Sequence, residues 1–304
     1  MTASILVVGS VAFDSVKTPF GKADEILGGS ATHFAVAASY FAPVRLVAVV
    51  GSDFGESYVD VFRKHKIDID GLTRADGRTF RWAGEYSFDL NDRKTLDTQL
   101  NVFEKFDPVV PPAYRSSEYV FLGNIDPDLQ YNVLQQMEKP RLIACDTMNF
   151  WIEGKLDALK RTLSSVDILL INDSETRELA SLPNLVKAAN KIMSLGPKTL
   201  IVKRGEHGVL MFHGKSIFSA PAYPLEDVYD PTGAGDTFAG GFVGALAHSG
   251  EINDRVFRRA IIFGSVMASF NVEKFGVDRV SELQRHEIEE RFRQFKQLTH
   301  FEEL

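Results

Sequence analysis

Asp230-Pro-Thr-Gly-Ala-Gly-Asp236-Thr-Phe238 sets a carboxylate at each end of a glycine-bearing turn. An apolar run, Phe238-Ala-Gly-Gly-Phe-Val-Gly-Ala-Leu-Ala247, follows at once and reads as a buried helix. Gly233 and Gly235 let backbone approach a ligand closely and adopt conformations closed to other residues. A glycine turn entering a helix is an anion site, because unpaired N–H groups and the helix dipole point there. Asp236 lies inside that site, where electrostatics disfavour a carboxylate unless it handles a proton or a metal. A phosphoryl-transfer base is the sharpest explanation.

Working outward, short apolar runs alternate with helical stretches. Residues 5–8 and 45–50 are continuous and β-branched, and each ends at a glycine, Gly9 or Gly51. That is the pattern of strands buried on both faces. Residues 31–41 read as an apolar helix and 54–66 as an amphipathic one. Further strands are expected at 118–122, 141–145, 166–171, 199–202 and 209–212. Further helices are expected at 128–138, 154–163, 174–180, 184–195, 234–248, 254–272 and 284–297. Strands separated by helices predict an α/β fold with a mostly parallel, doubly wound sheet. The polar segment 74–103 breaks this pattern. It alternates in part, with Phe80, Trp82 and Tyr86 on one face, turns at Asn91-Asp92, and alternates again over 98–103. An antiparallel flap is expected, either an edge sheet and face for a second copy or a lid that excludes water from a ligand.

The chain has 304 residues, of which 44% are apolar and 25% charged, as in a globular protein. The net charge of −7 argues against nucleic acid as a partner. Cys145 is the single cysteine and lies in an apolar run, so it reads as core packing in a reducing compartment. No signal peptide and no membrane-length apolar run is read, and a cytoplasmic protein is expected. The sequence contains no Gly-x-x-x-x-Gly-Lys-Ser/Thr, and Gly9 lacks the other glycines of the dinucleotide fingerprint. No His-Glu-x-x-His or cysteine cluster points to zinc.

Three shorter motifs are ambiguous alone. Gly28-Gly29-Ser-Ala-Thr-His33 is either a tight turn with a helix cap or a close-approach site for a ligand. Asn172-Asp-Ser-Glu175, after the strand at 166–171, is either a capping box or a ligand edge of the sheet. Lys203-Arg-Gly205-Glu-His-Gly208 is a hairpin or a nucleotide shelf.

In this order and spacing the motifs together resemble the PfkB, or ribokinase-like, family of carbohydrate and nucleoside kinases, over nearly the whole chain. Asp230–Phe238 is similar to the family's C-terminal signature, Gly28-Gly29 to its N-terminal one, and Asn172-x-x-Glu175 to its Asn-x-x-Glu motif. The resemblance implies one kinase domain over 1–304, a three-layer α/β/α body, and a β-sheet lid formed by about 12–27 and 74–104. It implies ATP-dependent phosphorylation of a hydroxymethyl group on a sugar or nucleoside. Asp236 would be the base, and the amides of Gly233, Ala234 and Gly235 would stabilise the transferring group. Asp14, Gly28, Gly29, His33 and Asn101 would meet the acceptor. Asn172, Lys203, Gly205, Gly208 and Ser265 would flank the nucleotide. Glu175 would position Mg²⁺, and Asp230, Thr232, Asn271 and Gly276 would surround a potassium ion. Two copies are expected to pair through the lid. Two departures stand out. His33 occupies the place of an Asn that commonly contacts the sugar, and Asp146-Thr-Met-Asn149-Phe-Trp151 has an aromatic where Asp-x-Asn-x-Arg is frequent. The alternatives are a nucleoside-specific kinase and a catalytically silent binding protein on the same fold.

Overall fold

Ile5–Val8 (β1) and Tyr119–Leu122 (β8) have every side chain buried, so no water reaches either face of these strands. They sit side by side in the interior of a nine-stranded sheet. In this computed structural model, which describes residues 3–300 and 302, the other strands are Ala12–Thr18 (β2), Gly21–Gly28 (β3), Val44–Gly51 (β4), Asp68–Ala75 (β5), Phe80–Tyr86 (β6), Arg93–Gln99 (β7), Leu142–Asp146 (β9), Ile168–Asn172 (β10), Thr199–Lys203 (β11), Val209–His213 (β12) and Ser216–Ala220 (β13). The helices are Ser30–Ser39 (α1), Glu56–Lys64 (α2), Pro127–Gln135 (α3), Asn149–Gly154 (α4), Leu156–Leu163 (α5), Asp173–Ala180 (α6), Leu185–Met193 (α7), Ala234–Ser249 (α8), Asp254–Asn271 (α9), Asp278–Ser281 (α10) and Arg285–Thr299 (α11).

The large sheet runs β13-β12-β11-β10-β9-β8-β1-β4-β5. Pairing is parallel from β5 to β11, and only β12 and β13 are antiparallel. Strand order reverses at β1, so a crevice opens between β1 and β8 at their carboxyl ends, where α/β folds place ligands. Ile5 and Val7 face one apolar core with Phe34 of α1 and Phe242 of α8, while Leu6 and Val8 face the other with Leu159 of α5 and Ala188 of α7. Helices therefore cover both faces, and the layers are α/β/α. Among the described residues, no helix is long and apolar enough to cross a membrane.

A second sheet, ordered β3-β2-β6-β7, stands beside this body. Half of it comes from 12–28, and β2 pairs β6 in parallel, so the flap is not a simple antiparallel hairpin. The strand expected over 98–103 ends at Gln99, and residues 101–105 form a 3₁₀ turn instead. Asn101 there has φ 52°, and Phe103 stacks between Phe80 and Phe106 at 5.3 and 5.4 Å. The helix expected over 154–163 divides at Lys155 into α4 and α5. β5 and β13 escape the sequence pattern because edge strands keep polar, exposed residues.

Glycines let α8 lie close against α1 and α9. A Cβ on Gly240 would fall 2.4 Å from the Phe34 carbonyl oxygen, and one on Gly241 2.8 Å from the Met267 side chain. Gly240→Val should therefore force two helix backbones apart and cost about 1–3 kcal/mol, the scale of core overpacking. Urea unfolding measures this. Gly154→Ala, where a Cβ meets nothing within 4 Å, is the matched control. Equal stability of the Val variant and the parent would disprove the close packing.

Candidate active site

The 230–236 turn ends in α8, whose N-cap is Gly233 at φ 72° with no side-chain cap. The Ala234 N–H already donates to the Pro231 carbonyl at 3.2 Å, so it is not free for an anion as expected. The N–H groups of Gly233 and Gly235 have no backbone acceptor among the described residues. Asp236 stands in the first turn of α8. Burial first, and then the neighbouring Asp146, push its carboxyl up to about 7, against the pull of Lys203 and Arg93.

Asp230 is fully buried, and its two oxygens accept the N–H groups of Thr232 (2.8 Å) and Gly276 (3.1 Å). Asn271 is not presented to a cation. Its oxygen accepts from Thr237 Oγ1 at 2.8 Å and lies 3.0 Å from His33 Nδ1, and its Nδ2 donates to the Thr232 carbonyl at 2.8 Å. That amide orientation makes His33 Nδ1 the proton carrier, leaving Nε2 as a buried acceptor with no partner. Burial drives the His33 pKa down to about 4, with Asn271 opposing. The ring is sealed behind the turn: a Cβ on Gly233 would lie 2.3 Å from its Cε1 and Nε2. His33 thus props the cradle, which accounts for a glycine at 233 better than ligand approach alone.

Asp14, on β2, is buried as well. Burial is the main cause raising it to about 7; the Gly29 N–H lowers it, and Asp230 and Asp236 raise it. Gly28 is the floor beneath it, since a Cβ there would sit 1.9 Å from Asp14 Oδ2. Gly29, at φ 93°, caps α1 and approaches the Ser10 carbonyl. Asn101 lies elsewhere: its amide donates to the Thr79 carbonyl at 3.0 Å, where the small sheet joins the body. Thr79 in turn donates through N and Oγ1 to Asp53, at 2.8 and 2.6 Å.

Asn172 and Glu175 form the capping box that their spacing allowed, with Glu175 N to Asn172 Oδ1 at 2.7 Å and Asn172 N to Glu175 Oε2 at 3.0 Å. The box does not use up Glu175. Burial and Asp146 raise its carboxyl to about 7, while Lys203 draws it down. Lys203, at the end of β11, donates to Asp146 Oδ2 at 3.0 Å. Its Nζ would be 3.0 Å from a Cβ on Gly235, so the ammonium lies against the α8 cradle. Amides at a helix end beside a lysine fit a phosphate group. Two crowded carboxylates, Glu175 and Asp146, fit a hard divalent cation. No group of three or more His, Cys, Asp or Glu capable of holding a metal occurs among the described residues. Gly205 and Gly208, at φ 52° and 78°, close the β11–β12 hairpin, with Arg204 N to the Gly208 carbonyl at 2.9 Å. Ser265 is buried within α9. Asp146 and Tyr86, noted in the sequence only for other reasons, and Arg93, not noted at all, stand near these groups: Asp146 bonds Lys203, Tyr86 bonds Thr232, and Arg93 pairs with Tyr86. Asp146 was findable, since it ends β9 at the sheet edge that carries Asn172 and Lys203. Arg93 left no local signal.

Residues 3–283 match the pfkB family carbohydrate kinase. This chain belongs to that family and is a kinase. It is 27% identical over 258 residues to the cytidine kinase of Thermococcus kodakarensis, covering 83% of this chain and 91% of that one. It is also 27% identical to the ribokinase of Lactococcus lactis, covering 90% and 91%. The solved nucleoside kinase of Methanocaldococcus jannaschii, described as an archaeal member of the ribokinase family, superposes with a TM-score of 0.78 at 21% identity, covering 97% and 99%. The kinase fold is therefore ribokinase-like.

A pH dependence follows from the carboxylates of this kinase. A base acts only when ionised, and kcat/KM reports the free protein. If Asp236, with its carboxyl near 7, is the base, kcat/KM should be flat above that pH and fall about tenfold per unit below it. The fall steepens if Asp14 must also be ionised. Lys203→Met should move the acid limb to higher pH. A profile flat from pH 5 to 8 would exclude Asp236 as the base.

Proposed function

We propose that this pfkB-family kinase transfers the γ-phosphoryl group of ATP to a hydroxymethyl group of a sugar or nucleoside, with Asp236 as general base. One observation carries the reading: the carboxyl of Asp236, raised to about 7 by burial, is near enough to Asp146 and Lys203 to feel their charge and near enough to Asp14 to raise it. Asp14 is placed to accept acceptor hydroxyls, and Gly28 and Gly29 keep it oriented. Asp236 takes the proton of the attacking hydroxyl. The amides of Gly233 and Gly235, with Lys203, face the charge that develops on the transferring group. Glu175 and Asp146 would hold Mg²⁺, which supplies charge neutralisation at phosphate oxygens when bound. A potassium ion is proposed on the Asp230, Thr232 and Gly276 side only, because Asn271 is spent within the protein.

The small sheet is proposed as the lid of a single catalytic domain. Two contacts support this: Thr232 Oγ1 donates to Tyr86 Oη at 3.1 Å, and Asn91 Nδ2 donates to Glu206 Oε1 at 3.2 Å. Phe20, Phe88, Leu96 and Leu100, all in or beside this sheet, are exposed and support pairing of two copies, which light scattering tests. The deciding experiment is ADP release with ribose, fructose, 2-keto-3-deoxygluconate, adenosine, inosine and cytidine. Turnover with at least one is expected. Binding without ADP release from any of them would instead support a silent binding protein.

A further inference from the structure

Asp53 lies in the loop between β4 and α2, and both of its carboxylate oxygens are engaged. Oδ1 accepts from the Thr79 N–H at 2.8 Å and from Thr79 Oγ1 at 2.6 Å, and Oδ2 pairs with Arg81 Nη1 at 2.8 Å. Thr79 is fully buried, and its hydroxyl, having given its proton to Asp53, accepts the Gly51 N–H at 3.0 Å. Its carbonyl accepts from Arg81 Nη1 and from Asn101 Nδ2, each at 3.0 Å. Every hydrogen-bonding group of Thr79 therefore has a partner. The backbone is pressed in too: a Cβ on Gly51 would lie 2.4 Å from the Gly77 oxygen and 2.5 Å from Thr79 N. β6 begins at the next residue, Phe80, and ends at Tyr86. There Tyr86 Oη accepts from Thr232 Oγ1 at 3.1 Å, in the turn that enters α8 and leads to Asp236. One strand is thus tied at its root to the 51–53 loop and at its tip to the turn that carries the base.

Resting on the kinase reading above, we propose that Asp53 is a positioning residue for phosphoryl transfer. Through Thr79 it fixes β6, and through Tyr86 the strand holds Thr232 and the turn that presents Asp236. An extended strand has a set rise per residue, so a shift at its root is passed to its tip. Asp53 suits the task because its two oxygens gather three donors at one point, and charge-assisted bonds are the stronger kind. Asparagine is no substitute, since its NH2 would face the Arg81 guanidinium, donor against donor. Arg81 extends the anchor sideways: it bonds Glu25 of β3 at 2.6 Å and lies over the Phe13 ring of β2, 5.1 Å from its centroid. A misplacement of about 1 Å caused far from the chemistry can cost ~10²-fold in rate, so an anchor acts without touching substrate.

The test measures ADP release by the full chain with the six acceptors named above. Asp53→Ala and Thr79→Val should each lower kcat by ~10-fold or more, while KM for ATP moves less than roughly threefold. Thr79→Ser keeps the hydroxyl and should stay near the parent. In a Tyr86→Phe background Asp53→Ala should cost less than roughly threefold, because the tie to Thr232 is already cut. The same loss in both backgrounds would overturn the proposal, since Asp53 would then not act through Tyr86. A lower melting temperature with kcat intact would make Asp53 a purely structural residue and overturn it as well. A second readout needs no turnover. With Trp151→Phe, Trp82 on β6 is the one tryptophan, and acrylamide should quench it more strongly in Asp53→Ala than in the parent. Equal quenching would show that Asp53 does not fix the strand. Stronger quenching in a chain that phosphorylates none of the six acceptors would count against the acceptor assignment and support Asp53 as the anchor of β6.

Discussion

Asp236→Asn is expected to lower turnover by ~10²-fold or more while ATP binding stays intact, the scale of losing a general base. Asn keeps the shape and the hydrogen-bond reach of Asp but accepts no proton at neutral pH. Initial rates of ADP release measure it, and near-parental turnover would rule out Asp236 as the base. The same variant should be more stable than the parent at pH 8. The folded carboxyl titrates near 7 against an ordinary 3.8, so the folded state binds more protons than the unfolded one between those values. Folding stability from this group is therefore fully present below pH ~4 and is lost, at about 1.4 kcal/mol per unit, as pH rises toward 7. An amide at this position escapes that loss. Calorimetric melts at pH 8 should show a melting temperature higher by a few degrees, roughly, and melts at pH 4 little change. A gain in stability together with a loss of turnover is the pattern expected where a charge is buried for use.

Gly28→Ala should have the next largest effect. Its Cβ would stand 1.9 Å from Asp14 Oδ2, a distance that no contact tolerates, so the carboxylate must swing out of the pocket. Gly28 is not in the left-handed region, so alanine there brings no backbone strain and the effect is steric. Losing one or two charge-assisted hydrogen bonds to the acceptor, at about 1.5–3 kcal/mol each, predicts ~10²-fold or more in acceptor kcat/KM. KM for ATP should hold, because the nucleotide turn lies on the far side of Asp236. Titrating both substrates separates the two effects. An unchanged acceptor kcat/KM would show that Asp14 takes no part in holding it.

Much of the large sheet was legible before any coordinates. Strands such as Ile5–Val8 and Leu142–Asp146 are short, almost wholly apolar and buried, and local pattern suffices for them. β5 was not legible, because at an edge only Gly71 of its eight residues is buried. The flap was half legible. Phe80–Tyr86 showed its alternation, but its parallel partner is Ala12–Thr18, far away in the chain, and no local pattern records such a pairing.

The site divides along the same line. Glycines, paired acids and a helix start at 230–238 are local chemistry, and by themselves they determined that a carboxylate sits at an anion-binding helix end. Tertiary structure alone decided what each group does there. It spent Asn271 on Thr232, Thr237 and His33, sent Asn101 to Thr79, and turned His33 into a neutral prop behind Gly233. It also joined Asp146 to Lys203, 57 residues apart, and set Arg93 over Trp82. The physical reason is that a residue's charge state and hydrogen-bond partners depend on what is buried around it. Burial is a property of the whole packed chain, whereas turn geometry and strand periodicity are properties of a few neighbouring residues.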